Sequence, residues 1–415
     1  MAGYPPYFVE AGSDPLILIL SIVILIFLLF ISVAIIEINC KNKKIKSIFY
    51  LGLLLQLVIV IIDHFIIAFP TIILDPRAFE RGGWYSYLYD VNIGRGKYNY
   101  WIINPIYKLL KIRVAIIFSA INIFFTILIN LNIYKTLKNL NIDKNLVKKL
   151  IFIVTLSPIS LIMKSGIQRE TIIILFISYS IKNFIEYTCK KNNIDIILSF
   201  FMIGLASLFH SGVIFLSIGY FLYLMEGKNS TKIYQYFLLI SVVIILIIFK
   251  DDLLFKVGGG DIDKIIAINN STTLKEAGSG YLKNISTTNL GQILLFLPLF
   301  MFYFLYSPTP DMIRGILDIA TFTLNSSIYI YFTIYGFYLY KKIKKRISYK
   351  ERRIIKVLTV ALILTIMVFS IGTRNAGTAM RHRDKIIPVL VVVFAMINNN
   401  YIILLREKKN EKSTY

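Results

Sequence analysis

Apolar runs long enough to span a bilayer recur from one end of this chain to the other, residues 15–36 and 50–69 being the plainest. A crossing needs about 20 mostly apolar residues, so a chain of 415 residues built this way leaves almost nothing over for a separate soluble domain. Composition agrees: 57% of the residues are hydrophobic and the mean hydropathy is +0.70, against roughly 45–50% apolar in soluble domains. The expectation is an all-α polytopic membrane protein, one integral domain over 1–415 with about 10–12 transmembrane helices. The opening Met-Ala-Gly-Tyr-Pro-Pro-Tyr has no basic n-region, and no small-residue cleavage site follows the first run, which is therefore expected to stay as an anchor.

A net charge of +23 could suggest nucleic acid. Here the lysines instead fill short loops between apolar runs, which is how the positive-inside rule looks in a sequence, and no basic face accompanies a soluble fold. Nucleic-acid binding is set aside. The two cysteines, Cys40 and Cys189, each lie beside lysines and form neither a disulfide framework nor a metal-ligand spacing. With three histidines and no H-E-x-x-H, no metal and no cofactor is expected.

Loop charge orders the crossings. Lys41, Lys43, Lys44 and Lys46 fix an inner face between helices at about 15–36 and 48–69. Residues 70–113 form a first outer segment rich in Tyr, Trp and Gly, suited to an interfacial helix. A third helix at about 114–134 leads to an inner loop with Lys135, Lys138, Lys144, Lys148 and Lys149. A fourth, at about 150–163, carries Pro158 and reads short; an outer turn at 164–170 precedes a fifth that returns to Lys190 and Lys191. Residues 194–225 are either two short helices, with His210 at the outer surface, or one tilted helix with His210 near the midplane. The two-helix reading is preferred because it puts the polar outliers on one face, and it makes 251–289 a second outer segment. Downstream, the basic stretch 341–353 is inside, one crossing leads out to Arg374–Arg383, and a last one returns to Lys408 and Lys409. The Ser307-Pro308-Thr309-Pro310 break suits a re-entrant element.

Three clusters could carry chemistry. Arg169 stands at an outer helix start, where free N–H groups and the dipole favour anions; it either strengthens such a site, pairs with Glu170, or snorkels to lipid phosphate. His210 is either a core histidine satisfied by a backbone carbonyl or a functional group, the default reading of an ionisable residue inside a membrane. Arg381-His382-Arg383 is the strongest cluster: two guanidinium forks can neutralise a diphosphate, and a neutral imidazole can accept a proton from an attacking hydroxyl. Its bland alternative is a lipid-headgroup anchor. Asp75, Glu80, Asp90 and Glu170 are scattered, with no acidic pair for a divalent metal; Asp63 and His64 suit a structural hydrogen bond. Gly258-Gly259-Gly260 lacks the Lys-Ser/Thr of a P-loop and reads as a flexible turn.

Four stretches together resemble the EpsG-like and Wzy-type polysaccharide repeat-unit polymerases: Ser165-Gly166-Ile167-Gln168-Arg169, Leu208-Phe209-His210-Ser211-Gly212, Tyr306-Ser307-Pro308-Thr309-Pro310, and Asn375 through Arg383. The first outer segment departs from that pattern, since Arg81-Gly82-Gly83-Trp84-Tyr85 lacks an acid. The resemblance implies an inverting, metal-independent glycosyltransferase of GT-C-like architecture in the bacterial cytoplasmic membrane, with its active site facing outward. The donor would be an oligosaccharide on undecaprenyl diphosphate, extended as O antigen, capsule or exopolysaccharide, with a chain-length regulator as a further partner. On this reading Arg169, Arg381 and Arg383 bind the diphosphate, and His210 or His382 orients or deprotonates the acceptor. Trp84, Tyr85 and Tyr89 stack on sugars. Two rivals remain open: an O-antigen ligase using the same donor, and a lipid-linked oligosaccharide flippase or other transporter, which would line a central cavity with cations through the membrane depth.

Overall fold

The structure is a computed structural model that describes residues 6–68, 74–90, 98–226, 279–283, 285 and 289–413. Among the described residues, six helices are long and apolar enough to cross a membrane: Pro15–Asn39, Lys43–Ile66, Ile116–Asn139, Glu170–Lys190, Tyr349–Ile371 and Ile387–Glu411. A seventh results if Lys144–Leu156 and Pro158–Ser165, bent by 51°, count as one span, and three shorter apolar helices accompany them. Among the described residues there is no β-strand, only the antiparallel bridge between Gly280 and Asn375. In hydrocarbon no water is present to bond exposed peptide groups, so apolar runs of this length close their hydrogen bonds within helices. The chain is an all-α polytopic membrane protein.

In chain order the elements that matter here are α1 (Tyr7–Glu10), α2 (Pro15–Asn39), α3 (Lys43–Ile61, continued by a π turn Ile62–Ile66), α4 (Leu74–Tyr89) and α5 (Asn104–Leu110). They continue with α6 (Ile116–Asn139), α7 (Lys144–Leu156), α8 (Pro158–Ser165), α9 (Glu170–Lys190), α10 (Asn193–Phe209) and α11 (Leu216–Met225). After α12 (Leu290–Tyr306), an unbroken helical run over 316–343 alternates α and π turns and ends in α13 (Gly336–Ile343). Then come α14 (Tyr349–Ile371), α15 (Ala376–Asp384) and α16 (Ile387–Ser413).

Helix starts are set by caps more than by the first apolar residue. Helix α3 begins at Lys43, not near 48, because the Asn42 side chain accepts from Lys44 N (3.0 Å) and Ile45 N (3.3 Å). Likewise α7 begins at Lys144, since Asp143 Oδ1 accepts from Asn145 N at 2.9 Å and Leu146 N at 3.2 Å. Pro158 is the first residue of α8, where its missing N–H costs no helical bond, and the chain bends there. Residues 194–225 are not one tilted helix: α10 stops at Phe209, His210 is extended, and a 3₁₀ turn over Ser211–Phe215 leads into α11. Within 70–113, the segment read as suited to an interfacial helix, the described residues form α4, a π turn at Asn99–Ile103 and α5. Residues 251–278 of the second expected outer segment, Gly258-Gly259-Gly260 included, lie outside the described residues.

The chain divides into two compact units, 1–135 with 148–175, and 136–147 with 176–415. In the first, α2 keeps one narrow buried face and leaves Ile19, Phe27 and Phe30 outward, as a helix facing lipid does. Asn122 of α6 donates to Gly166 O (2.6 Å) and Gln168 O (3.1 Å), fixing the turn that ends at Arg169. In the second, Ser180 of α9 and Ser199 of α10 each donate to the other's carbonyl, at 2.8 and 3.0 Å, a polar contact of the kind that joins membrane helices.

Gly219 lets α11 lie directly on α14, since a Cβ there would fall 2.7 Å from Val357 O and 2.8 Å from Ala361 Cβ. Gly204 of α10 has nothing within 4 Å of the same position. Gly219→Ala is therefore expected to lower stability by about 1–3 kcal/mol through overpacking, and Gly204→Ala to leave it equal or slightly higher. Thermal unfolding of both variants in detergent checks the contrast.

Candidate functional site

In the second unit the chain between α14 and α16 is held from several sides. Asn375 caps α15, its Oδ1 accepting from Gly377 N (2.9 Å) and Thr378 N (3.3 Å). The segment Ser279–Tyr281 lies against it: Tyr281 N donates to Arg374 O at 3.0 Å, Ala376 N to Ser279 O at 2.9 Å, and the Tyr281 hydroxyl to Thr373 O. At the far end of α15, Arg383 is fully buried and caps α12. Its Nη1 donates to Leu305 O (2.9 Å) and Ser307 O (2.6 Å), two carbonyls at the helix end. Its Nη2 bonds Asn325 Oδ1, and the guanidinium lies 4.6 Å from the Tyr329 ring centre. The same Tyr329 donates its hydroxyl to Asp384 Oδ1 at 2.7 Å.

This clamp sets the neighbouring residues. His382 and His210 meet edge to face, ring centres 4.8 Å apart, and Phe369 touches both, at 4.8 Å from His210 and 5.7 Å from His382. Gly212 makes that approach feasible, because a Cβ there would sit 2.6 Å from the Phe369 ring. His382 Nδ1 is 3.3 Å from Thr373 Oγ1. His210 is buried and His382 half-buried. Arg381, also half-buried, donates to Thr378 Oγ1 at 3.4 Å.

Two further cations, Arg374 and Lys385, are fully buried nearby in sequence. Arg374 packs 4.6 Å over the Phe300 ring and donates Nη1 to Ile285 O (2.7 Å), while its Nε and Nη2 make no hydrogen bond. Lys385 Nζ is 5.8 Å from the Phe369 ring centre. Among the described residues of this unit, the buried charged groups are Arg374, Arg383 and Lys385 against one carboxylate, Asp384. Burial pushes the Arg374, Arg381 and Arg383 guanidinium groups below their ordinary values. A positive excess held out of water is costly unless an anion answers it.

The first unit contains the other residues singled out from sequence. Arg169 Nε lies 3.6 Å from Glu170 Oε1 and its guanidinium 5.8 Å from the Phe79 ring, so the local pairing is the contact present. Trp84 is half-buried against Tyr107 (5.1 Å) and Tyr87 (5.2 Å). Tyr85 and Tyr89, one turn apart on α4, are exposed and stacked at 6.2 Å. His64 makes the structural bond expected of it, with Ser119 Oγ at 2.9 Å, and its ring stacks on Tyr7.

Sequence reasoning missed a charge network in this unit. The Glu10 carboxylate, 6% exposed, accepts from Arg77, from Arg81 Nη2 (2.8 Å) and Nε (3.3 Å), and from Arg113 Nη2 (3.3 Å). Arg113 also grips the fully buried Glu80 through Nε at 2.8 Å, and Tyr107 donates to Glu80 at 2.6 Å. The i, i+4 spacing of Arg77 and Arg81 was a local hint of one shared face; nothing local pairs Glu10 with residues 67 to 103 positions away. Arg374 was overlooked because it lies in the same polar stretch as the more conspicuous Arg381-His382-Arg383.

Three substitutions test how much each charge contributes to the fold. Arg383→Lys, which cannot span two carbonyls and an amide, is expected to cost about 2–3 kcal/mol, whereas Arg381→Lys should stay within about 0.5 kcal/mol of wild type. Glu10→Gln, which removes the charge that Arg77, Arg81 and Arg113 all meet, should cost about 3–5 kcal/mol. Thermal unfolding in detergent reads all three. No family model, curated protein or solved structure matches the chain.

Proposed function

We propose that the protein is a membrane glycosyltransferase that polymerises oligosaccharide repeat units carried on undecaprenyl diphosphate, at the outer face of a bacterial cytoplasmic membrane, with a GT-C-like architecture. The observation that carries this reading is the buried excess of cations beside two abutting imidazoles. Transfer from a lipid diphosphate needs fixed positive charge where the leaving group forms and a base where the acceptor loses its proton.

The reaction runs as a single displacement with inversion. An acceptor hydroxyl attacks the anomeric carbon, its proton passes to an imidazole, and the bond from that carbon to the diphosphate oxygen breaks. His382 is the more accessible ring and takes the proton; His210, behind it, fixes its orientation. Arg381 and Arg374 receive the diphosphate charge, Arg374 through the donors that bond nothing else. Arg383, expected from sequence as a diphosphate ligand, has its fork on the end of α12 and supports the site by holding α15. The first unit, taken by itself, offers the exposed Tyr85–Tyr89 stack as a sugar-binding surface. The geometry gives no separate support to the ligase or transporter readings.

The test is the glycan ladder of cells lacking this chain, complemented with wild type, Arg381→Ala or His382→Gln. Collapse to single repeat units in the null, with either variant reducing polymer about 100-fold or more, is the expected result. Arg381→Lys should also shorten the chains, since a point charge does not reproduce the fork. A full ladder in the null would discard the polymerase reading.

A further inference from the structure

The end of the molecule where the 316–343 run meets α14 carries a charge pattern that the proposed reaction does not use. Residues 341–356 hold nine basic side chains and one carboxylate, Glu351. Some of these cations are accounted for within the fold. Arg352 donates to Lys344 O at 2.7 Å and so caps α13; Arg353 and Lys356 both meet Glu226, at 3.6 and 2.6 Å. Arg346 reaches Glu407 of α16 at 3.4 Å, which brings the end of α16, with Lys408 and Lys409, to the same place.

Lys341, Lys342, Lys344, Lys345 and Lys350 are exposed and meet no carboxylate among the described residues. Two of them lie along aromatic rings one turn back: Lys341 Nζ is 4.6 Å from the Phe337 ring centre and Lys342 Nζ 4.3 Å from that of Tyr338. Lys342 is also 6.0 Å from the Tyr401 ring of α16. Phe337, Tyr338 and Tyr349 are themselves outward, at 59%, 50% and 73% exposure. The surface thus grades from exposed rings to lysine ammonium groups one turn further on. That is the order of chemistry across a phospholipid, acyl chain first and headgroup phosphate next.

We infer that Lys341 and Lys342, with Phe337, Tyr338 and Tyr401, form a binding surface for an anionic phospholipid headgroup. The rings take the glycerol and upper acyl region, and the ammonium groups take the phosphate. An acidic protein would answer the charge but not the exposed rings that run continuously into it. A neutral phospholipid satisfies the rings and leaves the lysines unpaired.

The full chain, reconstituted in nanodiscs of equal phosphatidylglycerol and phosphatidylcholine, is released into detergent and its retained lipids are counted by native mass spectrometry. Phosphatidylglycerol should be retained preferentially, and Lys341→Gln with Lys342→Gln should reduce its retention about 25-fold, each lysine near an anionic lipid contributing about fivefold. Both positions are exposed, so the fold is kept, which an unchanged unfolding temperature in neutral lipid confirms. Equal retention of the two lipids, or undiminished retention in the double variant, overturns the proposal. So does displacement of the lipid by millimolar glycerol 1-phosphate, which would mean the lysines read phosphate without the lipid.

Discussion

A helix that stops beside a membrane leaves carbonyls with nothing to bond, and the end of α12 solves that problem with an arginine from another part of the chain. Arg383 gives Leu305 O and Ser307 O a shared donor, and its positive charge faces the negative end of the helix dipole. Everything around α15 follows. Asn325, in a π turn of the 316–343 run, takes the other arm of the fork, and Tyr329 one turn on packs beneath the guanidinium and holds Asp384. Fixing Arg383 fixes Arg381 and His382, its two predecessors, and so decides that His382 meets His210.

The two units treat buried charge in opposite ways. In the first, Arg77, Arg81 and Arg113 are met by Glu10 and Glu80, and the chain answers its own cations through direct ion pairs. That network pins a one-turn helix to α4 and to the start of α6. In the second unit, Arg374 is fully buried with Nε and Nη2 bonding nothing, and the one buried carboxylate among the described residues, Asp384, is engaged by Tyr329. Ion pairs that are closed within the protein are structural; a cation whose donors remain open is available to a ligand.

Much of this was legible in the sequence. Long apolar runs specify crossings by length alone, and the break at His210-Ser211-Gly212 was visible because the run was too long for one helix and too short for two. Boundaries were less well placed wherever a polar cap precedes the apolar stretch: Asn42 and Asp143 start helices several residues before hydropathy rises. Arg381-His382-Arg383 stood out as a cluster, but its division of labour did not, because neighbours on a helix point in different directions and only packing reveals which one meets a helix end. Contacts such as Glu10 with Arg113 join elements that share no local pattern. An i, i+4 pair can be read from spacing; a partner 103 residues away cannot.

The pairing of Ser279–Tyr281 with Thr373–Ala376 also fixes an order of events during synthesis. The Tyr281 hydroxyl bonds a carbonyl 92 residues further along the chain. At ordinary elongation rates that interval is roughly 5 to 20 s, during which α12, the 316–343 run and α14 emerge before the partner of Tyr281 exists. The second unit can therefore close only after α14 has emerged. A nascent chain halted before residue 373 holds the helices up to α14 and has neither α15 nor α16 to bring a second imidazole against His210.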